Sequence, residues 1–317
     1  MTLRIAVMGV GGIGGCVGGR LAAAGADVLF LARGRHLDAL RGDGLHLTSA
    51  LGNVHLPRIN ARDSAQGQAP GDFVIFAVKG PDTASAAELI APIVGPGTAI
   101  VTFQNGVEGI DILQARFGHR AVLPGITYIA ATVEAPGRIV HVGSGNRSLI
   151  GEVDGRRSAR TAAFSAISRS AGLGMEISDD ILADLWGKFA LLAPFAGVAC
   201  LSRLPVDVWT RIPESMELFL EGMREIFAIA RAKGMTLDEA GLIARSIAFL
   251  QTLAPGWKGS MLNDLERGRR IEIDSLSGYV HRAGRELGVA TPFHSTAYRA
   301  LRYYAQEHPS TGFRAQA

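Results

Sequence analysis

Three glycines near the start of the chain are spaced to hold a phosphate group. Gly9, Gly11 and Gly14 follow an apolar, strand-like run with the spacing GxGxxG, and a helix-like stretch follows at once. A strand that turns tightly into a helix directs the first N–H groups of that helix, and the positive end of its dipole, at one point. Gly9 would allow the turn, Gly11 the close approach of phosphates, and Gly14 the packing of helix on strand. With Gly12 and Ile13 between them, these residues predict a dinucleotide pyrophosphate site.

The residues after the second apolar run indicate which dinucleotide is bound. This run covers residues 27–33, and Arg33, Gly34 and Arg35 stand at its end without an acid. A carboxylate there would bind the ribose hydroxyls of NAD, whereas a guanidinium pairs with the 2′-phosphate of NADP. Asp27 lies at the opposite end of the strand. We therefore expect NADP as the cofactor, with Arg33 on its 2′-phosphate; a solvated basic loop is the alternative.

Two further strand-like runs end on a polar residue followed by glycine. Lys79 closes the run over residues 72–79, and Asn105 follows the run over residues 98–104. Ligands of parallel sheets bind beyond the carboxyl ends of the strands, so both side chains are expected to face a ligand. Asn-Gly by itself is also a common turn sequence.

A lysine interrupts an apolar, helix-like segment in the second half of the chain. Lys188 stands in the sequence LWGKFALL, where a desolvated ammonium is costly unless it is paired. The alternative is that its long side chain reaches the surface. A later segment supplies the hydroxyl of Ser260 and the carboxylate of Glu272.

The elements that must position these residues change character near residue 178. Before it, strand-like runs alternate with helices, which predicts an α/β fold: an N-terminal Rossmann domain with a doubly wound parallel sheet over residues 1–177. After it, helical patterns predict an all-helical substrate and dimerisation domain over residues 178–317. The predicted strands are 3–10, 27–33, 72–79, 98–104, 121–129, 139–142 and 148–150, and the predicted helices are 213–233, 237–254, 260–266 and 274–287. Such a pair of domains predicts a ligand cleft at the carboxyl ends of the strands.

Composition excludes several classes of protein. A chain of 317 residues with 48% hydrophobic and 19% charged residues is long enough for two domains and is not disordered. The net charge of +3 is too small and scattered to indicate nucleic acid. The longest apolar run, residues 189–201, is too short to span a bilayer, no signal peptide is evident, and the dispersed histidines indicate no metal site. Cys16 and Cys200 are typical of buried thiols in a reducing compartment, so we expect a cytoplasmic protein.

Motifs spread over residues 7–292 resemble one family. In order they are GVGGIG, LAR, AVKG, FQNG, PGRIVHVG, LWGK, SMLNDLERGRRIEID and GVATP. Together they resemble the ketopantoate reductases (2-dehydropantoate 2-reductases), and the block from SML to EID is the most specific part. The resemblance implies an NADP-binding Rossmann domain, an all-helical domain, and the reduction of ketopantoate to pantoate in pantothenate biosynthesis.

The resemblance also implies roles for single residues. Lys188 would be the catalytic lysine, and Glu272 would be a catalytic glutamate that also meets the cofactor. Lys79, Asn105 and Ala131 would lie on the nicotinamide side of the cofactor. The substrate would be bound by Lys188, by Ser260 at its carboxylate, and by side chains at positions 105 and 257.

Three positions depart from the family pattern. The family usually carries asparagines four and eight residues after the lysine, where this chain has Leu192 and Ala196, and Trp257 replaces an asparagine three residues before the serine. Each missing hydrogen bond to a charged group costs roughly 1.5 to 3 kcal/mol. A more apolar 2-oxo acid or ketone is therefore an open alternative to ketopantoate.

Hydride transfer to a ketone builds negative charge on the carbonyl oxygen, which Lys188 would stabilise and then protonate.

Two other functions stay open. A 3-hydroxy acid dehydrogenase also joins a Rossmann domain to helices and uses a lysine, but Leu192 stands where that class has an asparagine. A non-catalytic NADP-binding sensor would explain the absent asparagines, but not the presence of both Lys188 and Glu272. The expected partner is a small-molecule substrate, without nucleic acid or membrane, and a homodimer is compatible with the sequence.

Overall fold

The chain divides into two compact units. The computed structural model describes residues 2–306, and the units are Met1–Leu185 and Trp186–Ala317. The division falls inside a helix, whereas the change in sequence pattern lies near residue 178.

The first unit contains an eight-stranded sheet. The strands of this unit are β1 Arg4–Met8, β2 Asp27–Leu31, β3 Leu45–Thr48, β4 Val54–Leu56, β5 Asn60–Arg62, β6 Phe73–Phe76, β7 Ala99–Thr102, β8 Val122–Thr127, β9 Ala130–Ala135, β10 Arg138–Val142, β11 Arg147–Ile150 and β12 Gly174–Ile177. The large sheet has the order β12-β11-β8-β7-β6-β1-β2-β5, and only β11 and β8 pair in antiparallel fashion. The chain therefore crosses over from β1 in both directions, as in a doubly wound Rossmann sheet, and this part of the predicted fold class is confirmed.

A second, four-stranded sheet was not predicted from the sequence. Its order is β4-β3-β10-β9, with β3 and β10 parallel and the other pairs antiparallel. Of these strands the sequence indicated only β10, because the others are short and alternate weakly between apolar and polar residues.

The α-helices that lie wholly within the described part of this unit are α1 Gly12–Ala23, α2 Gly34–Gly42, α3 Thr83–Ile90, α4 Glu108–Phe117 and α5 Ala159–Ser170. The first of them lies between the two sheets. On one face, a Cβ added at Gly18 would come within 2.7 Å of Val7 in β1. On the other, a Cβ at Gly15 would lie 1.9 Å from Ile139 in β10, and one at Gly19 2.9 Å from Leu45 in β3. Glycines occupy these three positions of α1 because the facing sheet leaves no room for a Cβ there.

The second unit is helical throughout the residues described, as predicted. It holds most of α6 Ile181–Ser202, and α7 Val206–Trp209, α8 Pro213–Ala232, α9 Glu239–Thr252, α10 Ser260–Glu266, α11 Ser277–Leu287 and α12 Pro292–Leu301. The sequence missed α7 and α12, which are short and begin at or next to a proline.

Helix α6 is longer than the apolar run that it contains. Its 22 residues would be long and apolar enough to cross a membrane, although 72% of its most apolar window is buried inside the molecule. Such burial is typical of a core helix. The apolar run over residues 189–201 lies within this helix, which continues on both sides of the run and through Pro194.

A buried polar cluster joins three helices of the second unit. The Glu225 carboxylate in α8 accepts hydrogen bonds from the backbone N–H groups of Phe293 and His294, at 2.7 and 3.0 Å, at the start of α12. The two ring nitrogens of His294 lie 3.0 Å from Ser277 Oγ in α11 and 3.1 Å from the Gly222 carbonyl oxygen in α8. Burial lowers the pKa of His294 to about 3, so its imidazole is neutral.

Candidate active site

The glycine turn has the geometry that a phosphate-binding turn requires. Gly9 follows β1 with a φ of +91°, and a Cβ at this position would lie 2.9 Å from the backbone nitrogen of Val78. A Cβ at Gly14 would lie 2.1 Å from the carbonyl oxygen of Gly9. Turn and helix therefore pack in direct contact, and only glycine fits at either position.

Gly11 and Gly12 differ in what a side chain would meet. Gly11 is the N-cap of α1, makes no side-chain capping bond, and has open space where its Cβ would be. A Cβ at Gly12 would lie 2.0 Å from the carbonyl oxygen of Ala131 in β9. Gly12 is thus required by the packing of α1 on β9, and Gly11 leaves the helix N-terminus open. Ile13 is half-buried and packs against the core of the unit.

Arg33 lies beyond the carboxyl end of β2, and its side chain is 85% exposed. It is the N-cap of α2, and its guanidinium lies 3.8 Å from the carboxylate of Asp82, whose side chain is 27% exposed. The sequence has no acid directly after β2, and Asp82 reaches Arg33 from the loop after β6, distant in the chain.

Lys79 and Asn105 follow neighbouring strands, β6 and β7, and both are half-buried. The side chain of Gln104 connects their loops. Its amide nitrogen donates to the Val78 carbonyl oxygen at 3.1 Å and to Thr83 Oγ1 at 2.7 Å, and its amide oxygen accepts from Thr102 Oγ1 at 3.2 Å. Gln104 thereby ties the segment from Val78 to Thr83, which contains Lys79, to the end of β7. Gln104 was not among the candidate residues, although its position next to Asn105 in the motif FQNG pointed to it.

Lys188 is half-buried on α6, between Gly187 and the fully buried Phe189. Desolvation lowers the pKa of its ammonium to about 8, and the negative charge of Glu272 opposes this shift. The lysine therefore titrates near neutral pH, as a group that must give up a proton in a reaction does.

Glu272 is half-buried between Ile271 and Ile273, which are fully buried. Its backbone is held by two hydrogen bonds. The Glu272 carbonyl oxygen accepts from Ser275 Oγ and from the Leu276 N–H, both at 3.2 Å. Glu272 is close enough to Lys188 for its charge to act on the pKa of the lysine, so the structure brings together the two residues expected to be catalytic.

Ser260 begins α10 and is exposed. The residue before it packs against α6, since a Cβ at Gly259 would lie 2.6 Å from the ring of Phe195. The same ring lies 5.4 Å from that of Trp257 and 5.6 Å from that of Trp209, centroid to centroid. Trp257 therefore belongs to an aromatic cluster on α6.

The other two departures from the family pattern lie on the same helix. Leu192 is half-buried, one turn after Lys188, and Ala196 is buried a further turn along α6. Tyr279 in α11 adds an aromatic side chain on this helix, 6.3 Å from the ring of Trp186 and 5.8 Å from that of Phe189. The surroundings of Lys188 along α6 are thus predominantly apolar.

Among residues 2–306, no three His, Cys, Asp or Glu side chains are grouped as metal ligands.

Comparisons with known proteins agree with these features. The family model "Ketopantoate reductase PanE/ApbA" matches residues 5–155, and "Ketopantoate reductase PanE/ApbA C terminal" matches residues 180–305. A 2-dehydropantoate 2-reductase from Mesorhizobium japonicum is 31% identical over 96% of this chain and 98% of its own length. The crystal structure of 2-dehydropantoate 2-reductase from Geobacter metallireducens has a TM-score of 0.87 at 31% identity, covering 95% of this chain and 99% of its own.

A ternary structure of D-mandelate dehydrogenase with NADH and anilino(oxo)acetate has a TM-score of 0.86 at 21% identity, covering 96% of this chain and 98% of its own. At this identity the likeness concerns the fold alone. Both family models and the two closer relatives confirm the resemblance seen in the sequence motifs. The chain therefore belongs to the ketopantoate reductase family and is an oxidoreductase.

Proposed function

We propose that the protein reduces a 2-oxo acid to the 2-hydroxy acid with NADPH. The observation that carries this proposal is Lys188, whose pKa is lowered to about 8 on an apolar helix while Glu272 favours its charged form. A carbonyl oxygen that gains negative charge needs such a donor close to neutral pH.

A reduced nicotinamide held near Lys79, Asn105 and Ala131 would supply the hydride for the carbonyl carbon. Lys188 stabilises the growing negative charge on the oxygen and gives it a proton, so that a hydroxyl forms and the lysine is left neutral. Glu272 keeps the lysine protonated before this step, and Ser260 binds the substrate carboxylate.

The residues of the first unit fit a dinucleotide. The open space at Gly11 and the uncapped start of α1 suit a pyrophosphate. The exposed guanidinium of Arg33 suits a 2′-phosphate. The family resemblance assigns Lys79, Asn105 and Ala131 to the nicotinamide end of the cofactor. NADPH is therefore the proposed donor, rather than NADH.

The substrate is either ketopantoate or a 2-oxo acid or ketone with a larger apolar group. The second choice is favoured by Leu192, Ala196 and Trp257, which stand where amides are usual; the Trp257 ring packs against that of Phe195 in a tilted arrangement. A protein of the same fold is named D-mandelate dehydrogenase, and mandelate is a 2-hydroxy acid with an aromatic group.

A panel of 2-oxo acids and apolar ketones, followed by the loss of NADPH absorbance, tests the proposal. If two hydrogen bonds are missing at ~1.5 kcal/mol each, ketopantoate is used about 100-fold less efficiently than the preferred apolar substrate. The double variant Leu192→Asn/Ala196→Asn should then gain activity on ketopantoate. High efficiency of the unmodified protein on ketopantoate would instead assign it the usual family reaction.

Binding of NADPH without turnover of any member of the panel would favour a cofactor sensor. Failure to bind either NADPH or NADH would overturn the proposal as a whole.

We also propose that the enzyme is cytoplasmic and forms a homodimer. Both cysteines are buried free thiols, which supports a reducing, cytoplasmic location. A homodimer formed through the helical unit is part of the proposal, and this unit exposes Leu201 at the end of α6 and Leu218 in the second turn of α8. Sedimentation velocity measures the oligomeric state directly.

A further inference from the structure

An acidic side chain lies beside the arginine assigned to the 2′-phosphate. The Asp82 carboxylate lies 3.8 Å from the guanidinium of Arg33. The two residues are far apart in the sequence, since Arg33 follows β2 and Asp82 lies in the loop after β6. The fold therefore places a negative charge where a second negative charge, the phosphate, is expected to bind.

The backbone of Asp82 is held firmly. It ends a short 3₁₀ turn, Gly80–Asp82, in which its N–H donates to the Lys79 carbonyl oxygen at 2.9 Å. Its own carbonyl oxygen accepts from Ser85 Oγ at 3.0 Å. The next residue, Thr83, is bound by Gln104, so the turn is tied to the end of β7.

The two partners differ in how much freedom their side chains have. The side chain of Asp82 is 27% exposed, and that of Arg33 is 85% exposed. Asp82 is thus the fixed member of the pair, and Arg33 is the member that can turn toward a ligand.

We propose that Asp82 is a specificity-determining residue that weakens the preference for NADPH over NADH by competing with the 2′-phosphate for Arg33. The inference rests on the proposed function, in which a dinucleotide binds with its adenosine end at Arg33. When NADPH binds, the guanidinium must be shared with or released by Asp82. NADH lacks this phosphate and does not meet this cost.

The size of the effect follows from the exposure of the pair. Exposed ion pairs contribute between about 0.2 and 1 kcal/mol, which corresponds to a factor of roughly 1.4 to 5 in affinity. Because the charges are exposed, salt should reduce the effect.

The test is calorimetric binding of NADPH, NADH and two fragments, adenosine 2′,5′-bisphosphate and 5′-AMP. Asp82→Asn should bind NADPH and the bisphosphate about 1.4- to fivefold more tightly, and should bind NADH and 5′-AMP as the unmodified protein does. The gain should shrink at high salt. It should also be lost when Arg33→Ala is combined with Asp82→Asn.

Asp27→Asn is the matched control. Asp27 forms a comparable exposed pair with Arg4 at 3.6 Å, at the start of β2 and so at the opposite edge of the sheet. The substitution Asp27→Asn removes the same charge as Asp82→Asn. It should leave the affinities for NADPH, NADH, adenosine 2′,5′-bisphosphate and 5′-AMP unchanged.

Several outcomes separate the inference from the proposed function. If the unmodified protein binds none of the four ligands, the proposed function fails. If it binds them but Asp82→Asn leaves the NADPH affinity unchanged or weaker, only the role of Asp82 is overturned. A gain of equal size for NADPH and NADH, or one that persists in the double variant, would also overturn it.

Discussion

Lys188 is the residue on which the proposed chemistry depends. Two opposing effects act on it: desolvation on α6 lowers the pKa of the ammonium to about 8, and the Glu272 charge raises it. Desolvation is the larger effect. The lysine is therefore mostly protonated at pH 7, yet it releases its proton far more readily than a lysine in water.

We predict that Lys188→Ala lowers turnover by roughly 10² to 10⁴ while NADPH binding is unchanged, because a positioned general acid contributes about this much. Turnover is measured with the best substrate of the panel, and binding by calorimetry. Lys233→Ala, which removes an exposed lysine over the ring of Tyr279, is the control and should keep its activity. Normal turnover in Lys188→Ala would mean that this lysine has no part in the reaction.

The pH dependence of the reaction should report the same residue. Reduction needs the protonated lysine, so kcat/KM should fall as the pH rises through about 8. Glu272→Gln removes the charge that raises the pKa of Lys188, so the falling limb should move to lower pH. Profiles of both proteins test this, and a limb that stays in place or moves to higher pH in the variant would contradict the coupling.

At the scale of the elements, α1 performs two tasks at once. It carries the proposed phosphate site at its N-terminus and separates the large sheet from the small one. The two tasks fall on adjacent glycines: Gly11 borders open space, and Gly12 lies against the backbone of Ala131.

The pair Gly11→Ala and Gly12→Ala should separate these tasks. Gly11→Ala should keep the melting temperature but bind NADPH about tenfold or more weakly, since a methyl group would displace the phosphates from the helix N–H groups. Gly12→Ala should lower the melting temperature, because overpacking costs about 1 to 3 kcal/mol and outweighs the better helix propensity of alanine. Thermal unfolding and calorimetry distinguish the two. Equal behaviour of the variants would show that Gly12 is not restricted by β9.

At the scale of the whole molecule, stability should depend on pH through the buried His294. Its pKa is about 3 in the folded protein and near 6.5 when unfolded, so below about pH 6.5 the unfolded state binds a proton that the folded state does not. This lowers stability as the pH falls from about 6.5 to 3, by at most ~1.4 kcal/mol per pH unit. Burial raises the pKa of Glu225, which acts with the opposite sign.

The contribution of His294 is isolated by comparing His294→Gln with the unmodified protein. The variant should be less stable at pH 7, because Ser277 and the Gly222 carbonyl lose their partner, and its stability should decline less between pH 6.5 and 4. Urea unfolding at several pH values measures both. His119→Gln, at an exposed histidine, is the control. Parallel pH curves for His294→Gln and the unmodified protein would contradict the assignment.

Much of the fold was accessible from the sequence because its signals are local. The buried strands β1, β2, β6, β7 and β8 lie in mainly apolar stretches, and the helices α8, α9, α10 and α11 have helical periodicity. The glycine spacing before α1 and the motifs around Lys188 and Glu272 gave the family and the candidate residues. These features can be read because a strand next to a turn, or a lysine in an apolar helix, is unusual within a few residues of chain.

The tertiary structure decided what depends on distant parts of the chain. The second sheet was not predicted because its strands are short and lack a clear local pattern. They are stabilised by pairing with one another and by packing on α1. The glycines of α1 also could not be explained from the sequence, because they are required by the packing of the helix against the sheets. Asp82 stands beside Arg33 only because β2 and the loop after β6 open on the same edge of the sheet. The sequence alone determined the family and the catalytic candidates, and the folded chain determined which charges surround them.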